Sequence, residues 1–298
     1  MVVPIQNTYA EAFTGICTRI IVTARDETRL KKAAYNSTSL PSIVINRTEG
    51  GIEQWIHPDK TPDGRIGAIL QYYGRYDPTA PEKSLNRFNR ELSYRIRQGI
   101  LVVPTTVVYN AYDSKEKIDM MDRVGHCGDG YETEIMYRDR KIISIPLMMG
   151  NFYIERYLGV GQGIMGGNIW ILCCNEEAAL EAGDKAVAAV MTVPYTISPL
   201  DICSAGSKPE TKFPEIGPTT NHYWCPTLRG KIPDSQVPDG VNCIPEIVIN
   251  GMTLEAVKEA MKAAAEAVRT IKGVIKISAG NYGGKLGQYK IYLKELFP

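Results

Sequence analysis

Residues 241–298, VNCIPEIVINGMTLEAVKEAMKAAAEAVRTIKGVIKISAGNYGGKLGQYKIYLKELFP, decide how the rest of the chain is read. The run opens on EIVIN (246–250), a strand by its alternation. Glu246, Val248 and Asn250 share one face, and Ile247 and Ile249 take the other. One carboxylate is thereby planted in an otherwise apolar strand. Thr253 then suits a helix N-cap, and Glu255 in the first turn suits the helix dipole. Leu254, Val257, Met261, Ala264, Val268 and Ile271 recur at helical spacing, with Gly273 placed to end the helix. A second strand, VIKIS (274–278), leads into the glycine-rich AGNYGGKLGQ (279–288), and residues 289–293 alternate as a third strand.

Upstream, the same order of elements comes twice. In the first half the pattern predicts a strand at 17–24, a helix at 26–35, a strand at 42–46 broken by Gly50 and Gly51, a strand from 66 to 73, a helix bearing Leu85, Phe88, Leu92 and Ile96 and closed by Gly99, and a strand at 100–109. Residues 113–122 read as a short polar helix or connector, and 131–146 as a hairpin around Arg138 and Asp139. In the second half a strand at 169–174, a helix at 176–191 and a strand at 192–197 precede a long polar, proline-rich loop at 198–238, which the final run then completes. Two copies of β-α-β-β-α-β predict an α+β chain of two ferredoxin-like lobes, residues 1–148 and 149–298.

Composition narrows the function classes. The 298 residues suffice for two cores, and 44% hydrophobic with 22% charged residues are globular values. Up to Gly150 there are 20 Lys plus Arg against 18 Asp plus Glu, and beyond it 14 against 15, so neither half has the basic surplus of a nucleic-acid binder. Seven scattered cysteines, an odd number, suggest reduced thiols. With no signal-like start and no apolar run of about 20 residues, a soluble, cytoplasmic protein is expected, with no membrane partner.

Gly161-Gln-Gly163-Ile-Met-Gly166 satisfies a dinucleotide fingerprint, but its glycines run into Gly167, Asn168 and a strand rather than a helix mouth. It reads as a tight turn, or as a loop whose bare backbone approaches a flat ligand. His57, His126 and His222 lack metal-ligand spacing, and no nucleophile elbow is present. Lys83, Arg87, Arg90, Arg95 and Arg97 surround an apolar helical stripe as a solvated face would. Glu246 is either a strand carboxylate facing water or, desolvated by Pro245 and the isoleucines around it, an acid that holds its proton near neutrality. The turn Gly280-Asn281-Tyr282-Gly283-Gly284-Lys285 is either a plain hairpin turn or a backbone approach for a ligand, with Asn281 and Lys285 as polar anchors.

PEIVING (245–251), the helix after it and KISAGNYGGKLGQY (276–289) resemble the C-terminal signature of formylmethanofuran:tetrahydromethanopterin formyltransferases. So, in order and spacing, do NTYAEAF (7–13), EGGI (49–52), TPDGR (61–65), GDGY (128–131), GGNI (166–169), GSK (206–208) and YWCPT (223–227). The likeness is densest after about Gly159, while residues 74–97 and 101–113 are less typical, as in a divergent paralogue. The resemblance implies two joined lobes, a homotetramer, and transfer of a formyl group from methanofuran to N5 of tetrahydromethanopterin. Both coenzymes act as substrates, with no tightly bound cofactor and no metal. It implies Glu246 as the catalytic acid and a substrate-binding set of Gly166, Gly167, Asn168, Ser207, Lys208, Asn221, Tyr223, Asn281, Tyr282, Gly283, Gly284, Lys285 and Gln288, with Tyr131 a weaker candidate. It also offers the basic cluster as a contact for acidic coenzyme tails. The rival is a non-catalytic structural or pterin-binding subunit of a formyltransferase/hydrolase complex; a third option is a pair of small-ligand regulatory domains.

Overall fold

A computed structural model describes residues 2–39, 48–208, 210–216 and 219–297. The fold is α+β, in two compact units: Gly15–Gly163, and Met1–Thr14 together with Ile164–Pro298.

The unit Gly15–Gly163 takes in most of β1 (Tyr9–Thr23), then α1 (Glu27–Thr38), β2 (Thr48–Ile56), β3 (Gly67–Arg75), α2 (Pro81–Arg95), β4 (Val107–Asn110), β5 (Glu116–Asp119), β6 (Thr133–Tyr137), β7 (Arg140–Leu147), β8 (Gly150–Glu155) and the start of β9 (Tyr157–Cys173). Its strands lie in the order β2-β3-β1-β4, and β4 continues in parallel to β8, beyond which β7 and β6 follow antiparallel. β3 is hydrogen-bonded on both edges and buried along nearly all its length, which is why GAILQYYG shows no polar face. Asp26 caps α1 by accepting from the Arg29 N–H at 3.0 Å, and Pro81 opens α2 where its missing N–H costs nothing. Leu30, Phe88 and Leu92 carry the helices onto a core with Ile20, Leu70 and Ile154.

Several expectations for this stretch need correction. The predicted strand at 42–46 lies outside the described residues. Gly50 and Gly51 do not break a strand: they sit inside β2, paired with Tyr72 and Gln71, because a Cβ at Gly50 would meet the Tyr72 ring at 3.0 Å and the Thr38 Cα at 3.1 Å. Gly99 does not close α2, which runs on into a π-helical turn, Ile96–Leu101; a Cβ there would lie 2.6 Å from the Ser37 Cα. The strand expected from residue 100 therefore starts only at Val107, and residues 113–122 contain β5 rather than a helix, paired antiparallel with β9. The hairpin at 131–146 is present as β6 and β7, with Arg138 and Asp139 at positive φ in its turn.

In the second unit β9 continues through Cys173, followed by α3 (Glu176–Val190), β10 (Thr196–Ile197), β11 (Ser207–Lys208), β12 (Thr219–Thr220), β13 (Glu246–Gly251), α4 (Leu254–Val268), β14 (Val274–Ser278) and β15 (Tyr289–Tyr292). The sheet order is β10-β13-β9-β14, all antiparallel, and β15 pairs with residues Tyr9–Ala12 of β1. Thr253 caps α4 as expected, its hydroxyl accepting from the Ala256 N–H at 3.1 Å, and Asn175 caps α3 through the Ala178 N–H at 2.8 Å. α3 and α4 pack on each other and on β13, through Ala182, Ala186, Ala260, Met261 and Ala264. Among the described residues, the stretch between β10 and β13 holds only the two-residue strands β11 and β12 and single 3-10 turns. Among the described residues no helix is long and apolar enough to cross a membrane.

Because Gly99 sits against backbone rather than a movable side chain, Gly99→Ala should push the π-helical turn off α1. We expect a loss of about 1–3 kcal/mol, read as a lower urea midpoint with an unchanged slope; an equal or higher midpoint would show that the close approach is not required.

Candidate active site

The alternation read in EIVIN places its side chains as expected: Ile247 and Ile249 are fully buried in the core beneath the helices, while Glu246 lies half-buried on the opposite face. β13 pairs with β9 so that Glu246 faces Trp170, and the Trp170 indole Nε1–H donates to Glu246 Oε1 at 3.0 Å. Cys203 comes from the long loop and locks the same residue from its other edge. Its N–H donates to the Glu246 carbonyl and its carbonyl accepts from the Glu246 N–H, both at 2.9 Å, and its thiol lies near enough to the carboxylate to favour the charged form. Burial pushes the Glu246 carboxyl above the ordinary carboxylate range, and the indole and the thiol offset only part of that rise.

Glu246 forms part of the wall of a cavity of about 380 Å³, shared with Trp170, Cys203, Gly206, Asn221 and Trp224. Trp170 and Trp224 meet edge to face, 5.2 Å between ring centres, and give the cavity an aromatic side. Asn221 is buried, and its side-chain oxygen has no hydrogen-bond partner among the described residues. The cavity wall thus combines an acid, an aromatic side and a residue whose buried amide oxygen has no partner among the described residues.

The glycine-rich segment after β14 lies against the same tryptophan. A Cβ at Gly280 would come within 2.6 Å of the Trp170 ring, so only glycine lets this backbone lie there. Asn168 ties the segment to β9: its side chain accepts from the Gly280 N–H at 2.7 Å and donates to the carbonyls of Gly280 and Gly166, each at 3.2 Å. Burial raises the Tyr282 phenol, and the nearness of Glu246, Glu11 and Cys203 raises it further.

The remaining candidates divide. Gly166 bends β9 at a φ of +90° and donates its N–H to Asn250 at 3.0 Å; Gly167 is a packing position, where a Cβ would strike Val257 at 2.4 Å. GQGIMG is therefore neither a turn nor a loop but the middle of a long strand, and its Gly161 makes room for the Tyr112 hydroxyl, 2.4 Å from any Cβ built there. Asn281 donates to Thr8 Oγ1 at 3.0 Å and to the Tyr9 carbonyl at 3.2 Å, away from the Glu246 cavity. Lys208 is buried and donates to the Glu210 carbonyl, while Ser207 pairs through its backbone with Thr220. Tyr223 lies against the His222 ring, 4.0 Å between centres, and does not line the cavity. Gly283 and Gly284 take positive φ in the turn, Lys285 is exposed, and Gln288 donates to Thr14 Oγ1 at 2.8 Å.

Sequence reasoning missed the residue that shapes this segment. Glu11, buried in β1, receives the backbone N–H groups of Tyr282 (2.8 Å), Gly284 (2.5 Å), Leu286 (2.8 Å) and Gly287 (3.1 Å). Burial raises its pKa, yet those four donors outweigh it and leave the carboxyl below its ordinary value. A signal was present: a lone acid between Ala10 and Ala12 in a strand, and a glycine-rich run whose free N–H groups need an anion.

A depressed folded pKa contributes stability that is complete above the unfolded value, about 4.3, and is lost as pH falls through the folded pKa. Glu11→Gln should therefore lower stability by about 1–3 kcal/mol near pH 7, with the gap narrowing below about pH 4. Urea denaturation at several pH values checks this; a gap that does not depend on pH would assign the loss to packing instead.

Comparison with known proteins follows from this geometry. A family model described as Formylmethanofuran-tetrahydromethanopterin formyltransferase matches residues 1–147, and one described as FTR, proximal lobe, matches residues 150–296. The chain is 58% identical over 294 residues to a formylmethanofuran--tetrahydromethanopterin formyltransferase-like protein of Archaeoglobus fulgidus, covering 99% of this chain and 96% of that one. A solved formylmethanofuran:tetrahydromethanopterin formyltransferase from Methanosarcina barkeri is similar at a TM-score of 0.91 and 37% identity, covering 99% and 98% of the two chains. A chain of the formyltransferase/hydrolase complex from Methylorubrum extorquens, solved in complex with methylofuran, is similar at a TM-score of 0.90 and 31% identity, covering 99% and 96%.

Proposed function

Because the chain belongs to the formylmethanofuran-tetrahydromethanopterin formyltransferase family, we propose that it moves a formyl group between formylmethanofuran and N5 of tetrahydromethanopterin, with Glu246 as the acid. The observation that carries this reading is a carboxyl held above the ordinary carboxylate range at the wall of a cavity of about 380 Å³. An amine nucleophile needs no acylated serine or cysteine. The N5 lone pair attacks the formyl carbon, an oxyanion forms, and its collapse breaks the bond to the methanofuran nitrogen. That nitrogen gains one proton and N5 loses one, so the step balances. Three tasks remain for the protein: to align two large molecules, to donate to the oxyanion and to deliver the proton. Glu246 in its neutral form serves the last two, and the indole of Trp170 with the thiol of Cys203 orients it.

The same reading assigns a ferredoxin-like lobe to each of 1–148 and 149–298, supported by the orders β2-β3-β1-β4 and β10-β13-β9-β14 with a helix after the first and third strand of each set. It takes the protein as a cytoplasmic homotetramer without a resident cofactor. Asn221, in the cavity wall, contacts substrate; Gly166, Gly167, Asn168 and Asn281 position backbone; Lys208 and Tyr223 support the loop, and Tyr282, Lys285 and Gln288 meet substrate from the glycine-rich segment.

Glu246→Gln, folded as wild type, should lose about 10²–10³-fold in kcat for formyl transfer between the two coenzymes. Since the neutral acid is the working form, wild-type kcat should fall as pH rises through the raised Glu246 pKa, and the variant should lose that limb. Undiminished turnover in the variant would remove Glu246 from the chemistry.

A further inference from the structure

We propose that the unit Gly15–Gly163 carries a binding pocket for a compact, multiply charged anion, lined by Lys83, Arg87, Arg90 and Arg123. Lys83, Arg87 and Arg90 stand at i, i+4 and i+7 on α2, hence on one face of that helix. Arg123 comes from the turn after β5, so two separate segments supply the charge. The open cleft they line, about 400 Å³, is large enough for a small molecule.

The cations are held together without the partners that arginines have elsewhere in this unit. Arg19, Arg65, Arg140 and Arg156 each meet a carboxylate at 2.5–2.9 Å: Glu53 at 2.7 Å, Asp63 at 2.7 Å, Glu155 at 2.5 Å and Asp119 at 2.9 Å. In the pocket, Arg87 donates only to the Arg75 carbonyl at 3.0 Å, and Arg90 lies 3.8 Å from Glu91, outside hydrogen-bond range. Neither Lys83 nor Arg123 makes an ion pair among the described residues. Asp77, the one acid of the lining, is engaged by its own turn, accepting from the Thr79 N–H at 2.9 Å and hydroxyl at 2.6 Å. Asp77 also attracts Arg87 and Lys83, yet one carboxylate against four cations leaves the lining a surplus of positive charge that a bound anion would offset, and guanidinium groups match phosphate or carboxylate oxygens in pairs. Two cations of the basic run belong elsewhere: Arg95 donates to Thr48 and to the carbonyls of Ser37 and Ser39, and Arg97 lies over the Tyr94 ring at 5.1 Å.

Phosphate and carboxylate groups would both fit, and two probes separate them. Isothermal titration of the full chain with inorganic pyrophosphate and with citrate, at low and at physiological salt, should show saturable binding of at least one of the two, weakened by added chloride. The double variant Lys83→Gln with Arg123→Gln alters side chains that brace nothing else among the described residues. It should fold as wild type and bind the same probe at least about tenfold more weakly. Thermal unfolding gives the second reading: the probe should raise the wild-type Tm and leave that of the double variant nearly unmoved. No saturable binding of either probe by the wild type, or equal affinity in the double variant, overturns the proposal, as does a Tm rise matched by sodium chloride at the same ionic strength. Formyl transfer plays no part in the readout, so its failure and that of this pocket are separable.

Discussion

The indole of Trp170 is the contact on which the candidate site depends. Its backbone sits where β9 passes from pairing with β13 to pairing with β14, opposite Glu246 on one side and Ser278 on the other. Its N–H holds the Glu246 carboxyl, its ring leaves no room for a side chain at Gly280, and it packs edge to face with Trp224 in the cavity wall. One buried aromatic therefore sets the aim of the acid, the path of the glycine-rich segment and the flat wall beside them. Moving the β13 register by one residue would turn Glu246 into the core and bring Ile247 to the cavity, which the alternation of EIVIN forbids energetically.

Two carboxylates near this tryptophan are treated in opposite ways. Burial alone would raise the pKa of both Glu11 and Glu246. Glu11 is surrounded by four backbone N–H groups aimed at its oxygens, which stabilise its charge and turn it into the anchor of a loop. Glu246 has one indole and one thiol beside it, which offset only part of the rise that burial gives its pKa. Groups of one chemical type thus separate into a carboxyl whose pKa is lowered and one whose pKa is raised, and the number of donors decides which is which.

Glycine in this protein serves close approach more often than it serves turns. Gly99 lies against the Ser37 backbone, Gly161 against the Tyr112 hydroxyl, Gly167 against Val257 and Gly287 against the Ala12 backbone. This is why glycines that looked like strand breakers or a phosphate loop sit inside regular elements. A missing Cβ has the same spelling whether it frees a backbone angle or makes space for a neighbour.

Local pattern determined much of this protein: the helices, with the cap at Thr253, the strand carrying Glu246 and the face it presents, the hairpin at Arg138 and Asp139, and the family motifs spread along the chain. These are decided within a few residues, by periodicity and by side chains that satisfy nearby backbone. Tertiary structure alone decided that Trp170 and Cys203 grip Glu246, that Glu11 gathers a loop about 270 positions away in the chain, that Asn281 turns toward Thr8, and that Arg123 joins three cations of α2. Contacts between distant segments depend on sheet register and on the volume left between packed elements, and neither is written in the spacing of neighbouring residues.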